Sequence, residues 1–157
     1  MVKTMTKKKK SIVLTTGAFD ILHYGHIRLL EEAKKLGGRE ARLIVIVASD
    51  NTVAKRKGKK PTLPGWERRA LVASLRVVDE ALLGRDEIDM EKAIEDVKPN
   101  VIAVGYDQDD IEKMLRQLIE KKGYNIRLVK IERYGSEELD SSSKIKGRIT
   151  EGWRKQL

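Results

Sequence analysis

Residues 15–31 run TTGAFDILHYGHIRLLE. They follow an apolar run, Ile12-Val13-Leu14, that predicts a buried strand. A turn passes through Gly17, and His23-Tyr24-Gly25-His26 then open an amphipathic helical pattern over residues 27–33. The two histidines are the only two in the protein. Three residues apart on a helical first turn, they face the same way. Gly25 between them has no side chain, so a ligand can approach the backbone there. Free N–H groups and the positive end of the helix dipole favour phosphate at this point. The competing reading is that the rings only cap or pack the helix. Two imidazoles with a glycine at a strand-to-helix turn favour a triphosphate site instead.

The rest of the composition bounds the answer. A chain of 157 residues suits one domain. Residues 1–10 read as a basic tail and residues 11–157 as the domain. The apolar fraction is 40% with only 4% aromatics, so the core must be built from Val, Ile, Leu and Ala. Cysteine is absent, which excludes disulfides and thiolate metal sites. No apolar run is long enough to cross a membrane, and the basic N-terminus has no apolar signal core behind it. A soluble cytoplasmic protein without a membrane partner is expected. The net charge of +9 invites a phosphate-bearing partner, either a small molecule or nucleic acid. No helix-turn-helix, RNP-type aromatic pair or zinc spacing accompanies it, so nucleic acid is not the expected partner. Charged residues at 36% fit the ion-pair-rich composition of thermophile proteins.

Beyond the opening motif the chain repeats strand and helix. Gly37-Gly38 stops the first helix, and residues 43–48 form a continuous apolar run suited to a strand buried on both faces. A polar edge, Ser49-Asp50-Asn51-Thr52, and a basic loop over residues 55–60 follow. Residues 66–76 have helical spacing, 77–83 read as the third strand and 88–97 as a helix. The fourth strand is 101–105, the next helix 111–122 with Asp109 or Asp110 as its cap, and the fifth strand 126–131. Ser141-Ser142-Ser143 would start a last helix through residue 148. Five strand–helix repeats predict a single-domain α/β fold, a doubly wound parallel sheet of five strands. Ligands in such sheets sit beyond the strands' carboxyl ends, where strand order reverses. Four polar stretches fall there: residues 17–26, 49–60, 105–110 and 133–144.

Gly-Ala-Phe-Asp-Ile-Leu-His-Tyr-Gly-His resembles the signature of the HxGH nucleotidyltransferase superfamily, whose sheet is Rossmann-like. Lys57-Gly58-Lys59-Lys60-Pro61, Glu67-Arg68-Arg69, Val77-Val78-Asp79-Glu80 and Gly105-Tyr106-Asp107-Gln108 follow in the order that family shows. The resemblance covers residues 11 to about 149. It is nearest to the archaeal FAD synthases, which are FMN adenylyltransferases, and extends to glycerol-3-phosphate cytidylyltransferases. The resemblance implies that His23 and His26 are catalytic and contact the nucleotide's phosphates, with Tyr24 and Gly25 between them. It implies backbone contacts from Ala18 and Phe19, a ribose or base contact from Asp107, and a nucleotide contact from Tyr134. Ser142 and Ser143 fall where the family supplies further phosphate donors. A homodimer is the assembly it suggests. Two departures stand out. Ala18 occupies a position that is usually threonine, and the C-terminal cysteines common in archaeal FAD synthases are missing.

The implied reaction is attack by the FMN phosphate on the α-phosphorus of ATP, giving FAD and pyrophosphate. The attacking oxygen is already ionised near neutral pH, so no general base is required. The task is to align two anions and stabilise charge on the departing pyrophosphate. Lys55, Lys57, Lys59 and Lys60 of the basic loop offer positive charge for the phosphates, Lys57 and Lys60 foremost, and Arg68 a forked contact. Mg²⁺ is expected to be held mainly by the substrate phosphates and water, and no residue is singled out as its ligand. Structural roles compete at several positions. Arg68 would pair with Glu67 or Asp79, Asp107 would cap a helix, Tyr134 would be a surface ring, and the serines would be plain caps. Trp66 and Trp153 would stack on a flavin ring or, as the preferred reading, pack in the core or against a helix. The rival functions are glycerol-3-phosphate cytidylyltransferase with CTP, a phosphopantetheine adenylyltransferase, a non-catalytic nucleotide sensor, a zinc enzyme and a nucleic-acid-binding module.

Overall fold

Val13 and Leu14 are neighbours in the chain and face opposite cores. A computed structural model describes residues 9–86, 89–133 and 139–156. Its elements are β1 (Ile12–Gly17), α1 (Tyr24–Lys35), β2 (Arg42–Val47), α2 (Asp50–Lys57), α3 (Gly65–Ala73) and β3 (Glu80–Leu83). Then come α4 (Met90–Val97), β4 (Val101–Val104), α5 (Asp109–Lys122), β5 (Arg127–Lys130) and α6 (Ser142–Arg154). Side chains alternate across a strand, so a central strand apolar at every position feeds two cores. Val13, Leu43, Val45, Val47, Val101 and Ala103 join Leu30 and Ala33 of α1 and Val72 of α3 on one face. Leu14, Ile44, Ile102 and Val104 join Met90 and Ile94 of α4 and Ile111 and Leu115 of α5 on the other. This is the doubly wound α/β sheet expected from the repeats.

The five strands are all parallel, in the order β3-β2-β1-β4-β5. β1 pairs with β2 through Leu14↔Ile44 and with β4 through Leu14↔Ile102. The chain winds outward from β1 to β3, then crosses back to β4. The reversal lies between β1 and β4, so the turns after Gly17 and Val104 flank the crevice where ligands bind in such folds.

Several boundaries differ from the sequence reading. The polar edge and much of the basic loop are the helix α2. Ser49 caps it by accepting from the Thr52 N–H at 3.1 Å, and Gly58 ends it at φ 69°. Its last turn carries Lys55, Arg56 and Lys57, which the negative end of the dipole favours. β3 begins at Glu80, not at residue 77. Asp79 just before it pairs doubly with Leu43: its N–H donates to Leu43 O at 3.0 Å, and its carboxylate accepts from the Leu43 N–H at 2.7 Å and from Lys34 at 2.8 Å. Neither Asp109 nor Asp110 caps α5. Gln108 holds the cap position, and the two aspartates pair instead with Lys130 and Arg56. α6 runs on to Arg154 and buries none of its residues. Trp66 and Trp153 do not pack in the core; they are 64% and 68% exposed. No helix among the described residues is long and apolar enough to cross a membrane.

Candidate functional site: the turn between β1 and α1

The turn leaving β1 is strained, and packing holds it. Phe19 has φ 49° and Ile21 φ 52°, values that side-chain-bearing residues rarely adopt. The Phe19 ring is buried and folds back over Gly17. A Cβ at position 17 would lie 2.8 Å from that ring, so glycine is required there. Asp20, 5% exposed, anchors the turn on its other side. Its carboxylate accepts from the N–H groups of Thr62 (3.0 and 2.9 Å) and Leu63 (3.0 Å), and from the Lys146 ammonium at 2.8 Å. Burial alone would raise the Asp20 pKa. Lys146 and the two backbone donors outweigh it and hold the carboxyl at about 2. Asp20 therefore joins three segments: the turn after β1, the link into α3, and α6. Ser142 adds a fourth tie by donating its hydroxyl to the Asp20 carbonyl.

His23 and His26 meet at the start of α1. Their rings stack with centroids 3.8 Å apart at 28°, and Phe19 packs against His26 at 5.2 Å. Burial lowers the His26 pKa to about 3, helped by neighbouring His23 and Lys57 and opposed by Asp20. Burial also lowers that of His23, opposed by Asp140. Both rings are thus neutral at pH 7. Nδ1 of each is sealed without a partner. An orphaned acceptor costs less than an orphaned N–H, so this geometry favours the tautomer that carries the proton on Nε2. Each ring then presents one N–H donor. His23 is the N-cap of α1 but makes no side-chain cap bond, and the first turn holds no carboxylate. The positive end of the helix is left for an outside anion.

A cavity of about 460 Å³ opens over this turn. Among the residues the sequence pointed to, Ala18, Phe19, His26, Lys57, Asp107 and Ser142 line it. His23 does not line it; its ring stacks on that of His26, which does. Tyr24, 66% exposed, and Gly25 belong to the first turn of α1 and do not line it. Neither do Lys60 and Ser143, which are exposed. Tyr134 lies outside the described residues. The expected phosphate role of Arg68 is corrected by its surroundings. It is fully buried and donates to Leu63 O at 2.9 Å, to Ala18 O at 2.5 Å and to the Asp50 carboxylate at 2.7 Å. Neither Glu67 nor Asp79 is its partner. Its guanidinium is spent on the scaffold, fixing the Ala18 peptide from below.

Sequence reasoning passed over Asp20, Arg56, Gln108 and Lys146. Gln108 accepts from Gly105 N–H at 2.7 Å and donates to Thr16 O at 3.1 Å, locking the ends of β4 and β1 together under the crevice. Arg56 lines the cavity and reaches across to the Asp110 carboxylate of α5 at 2.8 Å. Asp20 stands inside the opening motif and Gln108 inside the Gly105-Tyr106-Asp107-Gln108 stretch, so position marked both. Their partners are 42 and 92 residues away, which no local pattern reveals.

Comparison with known proteins agrees with this geometry. The Cytidylyltransferase-like family pattern matches residues 14–148. A protein named FAD synthase from Ferroglobus placidus is 49% identical over 137 residues, covering 87% of this chain and 86% of that one. A second FAD synthase, from Thermoplasma volcanium, is 45% identical and covers 88% and 94%. A crystal structure described as the lipopolysaccharide core biosynthesis protein of T. volcanium superposes with TM-score 0.71 at 45% identity, covering 80% of this chain and 98% of that one. Pantoate-beta-alanine ligase of Francisella tularensis, at 16% identity and TM-score 0.62 over 92% and 67% of the two chains, shares the fold. With a stacked imidazole pair at the β1–α1 turn of a doubly wound sheet, and a family match spanning nearly all of it, this chain belongs to the Cytidylyltransferase-like family of nucleotidyltransferases.

Proposed function

We propose that this protein is an FAD synthase, transferring AMP from ATP to FMN with release of pyrophosphate. The observation that carries the reading is the neutral, stacked His23–His26 pair beside an uncapped helix start. The names of its relatives supply the substrates. His23 and His26 donate Nε2–H to the triphosphate, and the start of α1 adds its dipole. The Ala18 and Phe19 backbone contacts the nucleotide, and Asp107 takes its ribose or base. Lys57 neutralises charge on the departing pyrophosphate and Ser142 adds a phosphate contact, while Lys60 and Ser143, outside the cavity, contribute at most at its periphery. The Tyr24 and Gly25 backbone completes the helix start, and Tyr134 contacts the nucleotide. The FMN phosphate is the nucleophile and arrives ionised, so no residue needs to act as a base.

Among the described residues no group of three His, Asp or Glu is placed to hold a metal. The cavity carboxylate of Asp20 is committed to Thr62, Leu63 and Lys146. This donor set suits a divalent cation, Mg²⁺, carried by the substrate phosphates and water rather than caged by protein. Such a cation, when bound, screens the triphosphate and eases loss of pyrophosphate. The expected setting is the cytoplasm, the expected assembly a homodimer, and residues 1–10 a basic tail outside the catalytic domain.

The test is pyrophosphate release on a grid of ATP or CTP against FMN, glycerol 3-phosphate and phosphopantetheine. Turnover with ATP and FMN alone is expected. Turnover with CTP and glycerol 3-phosphate would overturn the reading in favour of a cytidylyltransferase.

A further inference from the structure

The cavity over the histidines continues past the carboxyl ends of β2 and β3 and runs between the sheet edge and α4. Ile46 and Leu82 are register partners on neighbouring parallel strands, so they share a face. It is the face that α4 covers, since Ile46 packs against the cluster holding Met90 and Ile94. Leu82 is nonetheless 36% exposed. α4 therefore stands off the outer strand and leaves a slot. Ile46 and Leu82 floor it. Met90, Ala93 and Val97, three- and four-spaced along α4, form its wall. The two surfaces face each other with these apolar side chains, the charged Asp89, Lys92 and Asp96 of the α4 segment rim them, and the same cavity takes in His26.

We propose that this slot seats the flat aromatic ring system of the acceptor, the isoalloxazine of FMN, with the acceptor phosphate pointing back towards His26. The inference rests on the FAD synthase reading above. Two features assign the slot to the acceptor and not to the base of the nucleotide. The opposite arm of the cavity, beyond β4, is lined by Gly105, Asp107 and Gln108, and its exposed carboxylate suits ribose hydroxyls. Arg56 and Lys57, in the last turn of α2, line the same cavity and supply positive charge where the acceptor's phosphate and the triphosphate must meet, with Arg56 also paired to Asp110. A three-ring heteroaromatic gains most from two apolar walls, while its ribityl chain and phosphate stay at the charged mouth.

Two variants test this in the full-length protein. Leu82→Lys places a charge on an already exposed floor residue and should leave the fold intact. Ala93→Trp fills the slot. FMN and ATP are titrated separately, with FAD and pyrophosphate quantified, and quenching of flavin fluorescence reports FMN binding without ATP. Both variants are expected to raise KM for FMN by about tenfold or more, weaken the quenching in parallel, and leave KM for ATP within about twofold. Unchanged FMN parameters in Leu82→Lys overturn the assignment, whatever Ala93→Trp does. A selective rise in KM for ATP also overturns it, by giving the slot to adenine. Wild-type protein that turns over CTP and glycerol 3-phosphate but makes no FAD refutes the FAD synthase reading itself, and the assignment falls with it. Wild-type FAD synthesis with unaffected variants refutes the slot alone.

Discussion

Nη1 of Arg68 donates to the carbonyl of Ala18 at 2.5 Å, across 50 residues of sequence. The same guanidinium holds Asp50 at the start of α2 and the Leu63 carbonyl before α3. One buried cation thus ties the turn after β1 to both elements that follow β2. The tie is needed because the next residue, Phe19, sits at φ 49° and must be held there by its surroundings.

Removing that clamp should cost stability before it costs chemistry. Arg68→Ala leaves three acceptors under the site without their donor and is expected to destabilise by about 3 kcal/mol. Arg68→Lys should lose most of the same amount, since one ammonium cannot reach three acceptors in a planar fork. Urea unfolding of the two variants checks this. A change below about 0.5 kcal/mol would mean the clamp is dispensable.

The histidine pair makes a pH prediction with a definite sign. His26 titrates at about 3 in the folded protein, against an ordinary 6.5. The unfolded chain therefore takes the proton first. The contribution to stability is full above about pH 6.5 and is lost as pH falls towards 3. His26→Gln should flatten this dependence between pH 7 and 4. Triphosphate should raise both histidine pKa values, because an adjacent anion favours the charged ring. NMR titration of the two rings with and without ATP measures the shift, and no movement would separate the pair from the phosphates.

Asp20 acts in a lower window. Its folded pKa of about 2 lies below the ordinary 3.8, so its contribution is present above pH 3.8 and lost as pH falls to 2. Asp20→Asn loses the ion pair with Lys146 while keeping the volume, and should cost about 2 kcal/mol at pH 7. Because α6 buries none of its residues, it should loosen first. Hydrogen exchange over residues 142–154 is the readout. Protection there equal to wild type would show that α6 does not depend on Asp20.

The two lysines separate cleanly by position. Lys57 lines the cavity and Lys60 does not. Lys57→Ala is expected to lower kcat/KM for ATP by about tenfold or more, and Lys60→Ala by less than about threefold. Equal losses would place both on the triphosphate and require the segment after α2 to close over it.

Much of this was legible before the fold was seen. The runs at Ile12-Val13-Leu14 and over residues 43–48 marked central strands, because a strand buried on both faces has no polar alternation to hide it. His23, Gly25 and His26 marked the site by rarity and spacing. The failures share one cause, which is tertiary pairing. Arg68 resembled a phosphate ligand because nothing local shows that Asp50, Leu63 and Ala18 surround it. α2 resembled a loop because only Thr52 and Val53 of its residues are buried, although Ser49 and Gly58 spelled its two caps. Val77 and Val78 resembled strand, yet they fall in the turn after α3, where the Val78 N–H donates to Leu75 O, and backbone pairing with β2 starts only at Asp79.

A crystal structure with ATP bound tests the central claim most directly. The triphosphate is predicted to lie within hydrogen-bonding distance of Nε2 on both His23 and His26, against the first turn of α1. ATP bound elsewhere, with the two rings still stacked and untouched, would contradict it.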